Sequence, residues 1–514
     1  MKFRAVPQWI LAAVWALVLW LPGLGAVPLF DWDEINFAEV SREMVISGQY
    51  LQPTINFQPF WEKPPLFFWL QALSYHLWGI NECAARLPNV FCGLVTLGWM
   101  ARAIPGPGSL WAMLYAGSLL PHLYFRSGII DPWYNLFGFW MLWYGLKALD
   151  AGHIRHFIVA GLCGGLALAT KGPAVPGLVS ITLGIYSLRY RCWRKSYPVA
   201  WIAGISIFCA VGLIWYILYG LKYGPQLLQD FLSYQIRLLS TSDAGHTGFP
   251  GFHGAVLFVG LMPASAFFLG AIPQGLRRDY WPHLLLVILV VGAFSIVKTK
   301  IVHYSSLAYF PITWMAALWL WERRNARIPA GPRIVAAFQW LFLALGLAVS
   351  ILFLLKPQNF LPHIQDELVR ANILHASPAL RWPAVVALFT ASAASFSLLG
   401  AHSFKRLQRA LILTTLTITL AIYGVVPTVE RISQGPVIDA CLKAKHHGLP
   451  VYTSNFKSYA PYFYGAVMPP GWPHPPQSGS YALIFRRDKP FHIPSDCPCD
   501  TLGGYLVCLK LFNN

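Results

Sequence analysis

Hydrophobic residues in this chain come in long runs, not in the period-two or period-3.6 alternations of a soluble domain. Apolar stretches occupy residues 8–29, 87–104, 109–127, 132–149, 157–169, 174–188, 199–219, 254–276, 282–297, 304–321, 334–355, 383–399 and 410–426, thirteen in all. Most approach the roughly 20 residues that a helix needs to cross the hydrocarbon core of a bilayer. A further run, 64–80, is short and interrupted by Gln71, Ser74, Tyr75 and His76. The pattern predicts an all-α polytopic membrane protein. The first run could be read as a signal peptide, given the small residues of 23–26, but it is long for one, and a retained helix is the reading adopted.

Charge decides whether 64–80 crosses. If it lies in the interface as an amphipathic helix, the N-terminus, Arg102, residues 147–155, 189–195, Arg277 with Arg278, 323–333 and 405–409 all fall on one side. Basic loops gathered on one side mark the cytoplasm; a crossing at 64–80 would export most of them. The in-plane reading therefore places 31–63, Asp131, 170–172, 220–253, 298–303 and everything after 427 outside. The net charge of +18 is accounted for by these scattered loops, with no basic stripe to suggest nucleic acid.

The chain after 427 changes character. VIDACLKAKHHG reads as a short helix, and LPVYTSN, SYALIFRR and GYLVCLKL read as strands, so 1–427 forms the membrane domain and 428–514 a small α/β domain outside it. Cys441, Cys497, Cys499 and Cys508 lie there, where an oxidising compartment permits disulfides; their connectivity is left open among three possibilities.

Only 11% of the residues are charged, yet five acids (Asp31, Asp33, Glu34, Glu39, Glu43) and Arg42 crowd directly behind the first apolar run, followed by Glu62 and Lys63. Charge set against a bilayer points to function, and the segment 30–80 is the candidate site. Arg42 also has a plainer use as an i, i+3 partner for Glu39.

DEINFAEVSREM (33–44), FWEKPPLFFW (60–69), AARLPN (84–89) and IIDPW (129–133), taken together, resemble the ArnT-like and protein O-mannosyltransferase superfamily of membrane glycosyltransferases. The resemblance implies a GT-C fold with about 13 transmembrane helices, in-plane helices in the first outer loop, and a sugar donor carried on a polyprenyl phosphate. It implies catalytic roles for Asp33 and Asp131, with Glu34 beside them in the acidic motif, and a phosphate-binding role for Lys63. Lys298 and Lys300, at the outer end of a membrane helix, are candidates to complete that clamp, with Arg42, Arg86, Arg126 and Lys171 in second rank. His303 and Tyr304 are candidates to hydrogen-bond a substrate. Some relatives hold a divalent ion; the matching positions are Glu62 and His246, and two ligands do not make a catalytic metal site, so no cofactor is required by this reading. Where the aminoarabinose enzymes continue the acidic motif with a basic or polar residue and Tyr, this chain has Ile35, Asn36 and Phe37, a change expected to reshape the acceptor pocket.

The sequence thus points to a bacterial inner-membrane enzyme with an outward-facing site, moving a sugar from undecaprenyl phosphate to lipid A, another envelope glycan or a protein. A protein O-glycosyltransferase is the rival within the class. A lipid-linked sugar transporter is the rival outside it, although transport should set charge within the spans, whereas here the acids gather at one face. No nucleic-acid partner is expected.

Overall fold

The computed structural model describes residues 8–31, 33–192, 198–226, 229–231, 233, 237, 248–376, 378, 380–471, 480–490 and 497–510. Its helices are α1 Gln8–Trp20, α2 Asp33–Ser47, α3 Leu66–Trp78, α4 Glu82–Ala103, α5 Pro107–Ala116, α6 Leu119–Tyr124, α7 Asp131–Ala151, α8 Ile154–Lys171, α9 Ala174–Tyr190, α10 Pro198–Tyr223, α11 Phe252–Gly260, α12 Ala264–Ala271, α13 Trp281–Ile296, α14 Tyr309–Glu322, α15 Ala330–Leu355, α16 Glu367–Ala376, α17 Trp382–Leu399, α18 Phe404–Ser433, α19 Gly435–His446 and α20 Ala460–Tyr464.

Among the described residues, α8, α10, α15, α17 and α18 are each long and apolar enough to cross a membrane, and the pair around α11 and α12, bent by 114°, makes a sixth. The other apolar runs are helical too. They are short, broken at Gly117, or charged near an end as in α4, so length and composition alone do not give thirteen. Loop contacts sort the bundle into two ends. Arg277 pairs with Glu322 at 2.8 Å, Arg278 with Asp150 at 2.5 Å, and the Ile328 amide donates to His402 O. These loops are all ones that the charge pattern assigns to the same side. At the opposite end, Arg126 closes α1 by donating to Leu19 O and Pro22 O.

Between α1 and α4 the chain does not cross. Helix α3 buries Phe67, Phe68, Gln71, Ala72, Ser74 and Tyr75 and leaves Leu73, Leu77, Trp78 and nearby Ile80 exposed, an apolar outer face that suits the interface. Helix α2 has little amphipathic pattern, yet every residue from Glu34 to Met44 is buried, because it is packed on several sides. Phe37 meets Phe67 and Phe68, while Ile35 and Ala38 enter a second core with Val437, Ile438, Phe463 and Tyr464 of the C-terminal domain. Its polar residues are matched in turn. Ser41 Oγ donates to Gln71 Oε1 at 2.8 Å. Arg42 grips Glu39 with two bonds of 2.7 Å, as i, i+3 spacing predicts. Glu43 accepts from Thr54 Oγ1 and the Phe57 amide in the hairpin of β1 Thr54–Ile55 and β2 Gln58–Pro59.

Burial pushes the Glu39 carboxyl up to about 8, against the pull of Arg42 and with Glu43 adding to the rise. The folded protein keeps this proton, whereas the unfolded chain releases it near the ordinary 4.5. The unfolded state then binds fewer protons, and stability falls as pH rises between those two values. Glu39→Gln is expected to flatten that decline in a plot of Tm against pH; an unchanged slope would mean that Glu39 holds no such proton.

The C-terminal unit carries β3 Val451–Thr453, β4 Tyr481–Arg486, β5 Cys499–Leu502 and β6 Tyr505–Lys510 in the order β3-β4-β6-β5, with β3 and β4 parallel and the other pairs antiparallel. Cys499 and Cys508, cross-strand partners on β5 and β6, form a disulfide; Cys441 and Cys497 are free. Helix α18 continues through Pro427 to Ser433, across the boundary expected at 427/428. The sheet also leans on α16, whose Asn372 Oδ1 accepts from the Gly504 amide at 2.9 Å.

Candidate active site

Asp33 opens α2 and keeps its side chain 45% exposed, with His303 Nε2 at 3.5 Å from Oδ2. Asp131 opens α7. Its carboxylate caps nothing; it is buried against Lys171, whose Nζ donates to both oxygens at 2.8 and 2.9 Å. Lys171 ends α8, and the turn behind it is held by Tyr134 of α7, whose hydroxyl donates to Gly172 O and accepts from the Val175 amide. Gly172 has φ +102° there, a conformation that disfavours any side chain.

His303 lies in the 3-10 turn Val302–Ala308, whose Ser306 Oγ accepts from Asn135 Nδ2 at 2.8 Å, one helical turn beyond Asp131. Burial lowers the imidazole pKa, and Asp131 and Asp33 pull against that shift. Lys63 sits just ahead of α3, with Glu62 at 4.0 Å. Burial lowers its pKa as well; Glu62, Asp33 and Asp131 oppose the shift, and Lys171 adds to it. Lys63 and His303 therefore each lie within electrostatic reach of Asp33, Asp131 and Lys171 at one end of the bundle, with the centre of the Tyr304 ring 5.8 Å from the Lys171 ammonium.

The profile of the dolichyl-phosphate-mannose-protein mannosyltransferase family matches residues 62–215. An undecaprenyl phosphate-alpha-4-amino-4-deoxy-L-arabinose arabinosyl transferase of Photorhabdus laumondii is 28% identical over 332 residues, which is 60% of this chain and 58% of that protein. Its namesake in Edwardsiella ictaluri is 24% identical over 70% of this chain and 67% of its own length. The crystal structure of ArnT from Cupriavidus metallidurans bound to undecaprenyl phosphate superposes with a TM-score of 0.76, at 17% identity, over 98% of both chains. The fold is that of ArnT. The resemblance read from the four motifs is borne out.

Within this ArnT fold, several expected site residues do other work. Glu34 and Arg86 are buried against each other. Arg86 donates to both Glu34 oxygens at 2.8 Å and to the carbonyls of Leu24, Val27 and Pro28. Burial works against a charge on Glu34, but the guanidinium outweighs it and holds the carboxyl below its ordinary range. Neither group is open to a substrate, which corrects the catalytic reading of Glu34 and the phosphate-binding reading of Arg86. Their role is positional: Glu34 Oε1 also accepts from the Gly128 amide at 2.6 Å, tying the helix that carries Asp33 to the loop that carries Asp131.

Lys300 is likewise committed, its ammonium donating to Phe294 O, Ser295 O and Val297 O at the C-terminal end of α13, where a cation complements the helix dipole. That corrects its assignment to a phosphate. Lys298 is exposed. Ile35, Asn36 and Phe37 are all buried. Glu62 stands near Lys63; His246 lies outside the described residues. Among the described residues no three His, Cys, Asp or Glu are grouped to hold a metal ion. Lys171, ranked second from sequence, is the residue that the structure promotes. Its signal was a lysine ending an apolar run on the same side as Asp131.

Proposed function

We propose that this protein is a multi-pass inner-membrane glycosyltransferase that moves a sugar from undecaprenyl phosphate to lipid A or another envelope glycan at the periplasmic face. The observation that carries the reading is the meeting of Asp33 and Asp131 with Lys63, Lys171 and His303 in one acid-and-cation cluster, on an ArnT fold. The relatives named as undecaprenyl phosphate-aminoarabinose transferases support this donor, and the charge asymmetry of the loops supports the periplasmic side.

In the reaction the acceptor oxygen forms a bond to the anomeric carbon as that carbon's bond to the phosphate oxygen breaks, with inversion. Asp33, half exposed with His303 beside it, orients the acceptor and, where the acceptor is a hydroxyl, takes its proton as general base; His303 orients the carboxylate. The departing polyprenyl phosphate gains a negative charge, and Lys63, at head-group depth, is placed to offset it where it develops. Asp131 holds the Lys171 ammonium in the cluster, so that the pair adds a fixed dipole and no net charge.

Lys63→Ala is expected to lower kcat/KM for the lipid donor by about 10- to 100-fold, the scale of a lost charge-assisted contact, with the Tm little changed. Unchanged kinetics would remove Lys63 from the site. The reading as a whole is tested by mass spectrometry of lipid A, envelope glycans and exported proteins from cells with and without the gene. A sugar mass lost from lipid A or a glycan supports it, loss confined to exported proteins would make the enzyme a protein O-glycosyltransferase, and no loss anywhere would sink it.

A further inference from the structure

We propose that residues 434–467 of the C-terminal domain clamp the reactive helix α2 and set the position of Asp33, with Gln434 and Ser458 as positioning residues. This rests on the glycosyl-transfer reading above and assigns a task to a domain that the reading leaves idle.

The grip falls on residues 29–31, immediately before α2. The side-chain amide of Gln434 bridges them much as the edge of a neighbouring strand would: Nε2 donates to Leu29 O at 2.6 Å, and Oε1 accepts from the Asp31 amide at 2.9 Å. The Leu29 amide donates to the Tyr464 hydroxyl at 2.7 Å. The Asp31 carboxylate accepts from Ser458 Oγ and from the Tyr459 amide. Asp33 follows two residues later. Further along α2, Ile35 and Ala38 enter the core shared with α19 and α20. Arg42 then reaches over to donate to Val467 O at 2.6 Å. Ile35, Ala38 and Arg42 follow the i, i+3, i+7 spacing of a single helix face, so one face of α2 is held by the C-terminal domain from its entry as far as Arg42. The Glu34–Gly128 bond fixes the helix from the bundle.

Each such hydrogen bond contributes only about 1 kcal/mol of net stability. Misplacing a reacting group by about 1 Å, in contrast, costs on the order of 100-fold in rate. The bonds at 29–31 therefore matter more to the placement of Asp33 than to whether the chain folds.

The test uses full-length protein in detergent with undecaprenyl phosphate-linked aminoarabinose and lipid A. Gln434→Ala and Ser458→Ala are expected to lower kcat by about 10- to 100-fold with KM for the lipid donor within about two-fold of wild type; Ser458→Thr, which keeps the hydroxyl, should restore most of the rate. Hydrogen exchange read on the same variants should rise in peptides covering 29–44 and stay unchanged in 82–103. Wild-type exchange at 29–44, an unchanged kcat, or a rise spread over the whole chain would each overturn the clamp. If wild-type protein transfers no sugar from this donor to lipid A, this donor and acceptor are not its substrates, the glycosyl-transfer reading is left to the mass spectrometry above, and the exchange measurement by itself decides whether 434–467 holds α2.

Discussion

Asp33→Asn is expected to bring transfer down by about 10²- to 10⁴-fold, the contribution of a positioned general base, while the protein remains folded in the membrane with its Tm unchanged. The substitution keeps shape and takes away the site that receives the proton. Asp33 can be changed cheaply because its side chain is half exposed, with His303 at 3.5 Å. Asp131 offers the contrast. Its carboxylate is buried and carries both bonds to Lys171, so Asp131→Asn leaves an ammonium facing a neutral amide and should lower Tm together with activity. Single-turnover rates and thermal unfolding on the two variants separate the roles. Full activity in the Asp33 variant would discard Asp33 as the base.

The second large effect is on folding. Arg86→Met removes the only cation within hydrogen-bonding distance of the Glu34 carboxylate among the described residues and leaves that charge buried. Breaking such a pair from one side typically costs about 3–5 kcal/mol, a large share of the roughly 5–15 kcal/mol that holds a typical domain together. Little monodisperse protein is expected from this variant on size-exclusion chromatography. Glu34→Gln combined with Arg86→Met takes out both charges and should recover the folded fraction, because replacing a whole buried pair is often near neutral. Arg86→Met with wild-type yield and Tm would show that the pair is not what joins α2 to α4.

Much of the architecture was legible because a bilayer leaves few choices. Apolar runs had to become helices, and the scattered arginines fixed their sense; contacts such as Arg278–Asp150 and Arg277–Glu322 join loops that charge had already placed together. Asp33, Lys63, Asp131 and His303 were legible as motif residues at the ends of runs. What sequence could not supply was the partner of each charge. Glu34 and Arg86 are 52 positions apart, and nothing in either motif says that they neutralise each other. Lys300 looked like one half of a lysine pair facing a phosphate, but the lysine folds back on the carbonyls that α13 leaves unpaired, a demand that exists only once the helix has an end. Lys171 was undervalued for the same reason: its worth depends on Asp131, which α7 brings to it. The buried face of α2 was hidden because the helix has almost no periodicity, and its burial is created by a domain encoded at the other end of the chain.

That distant origin orders the life of the molecule. Residues 29–85 leave the ribosome before most of the helical bundle, yet the side chains that complete their core, from Val437 to Val507, follow it. The acidic helix must wait, incompletely covered, until the tail has settled over it. A chain arrested or trimmed before Gln434 would still form its apolar helices but would lack every side chain that closes over α2 from the far end.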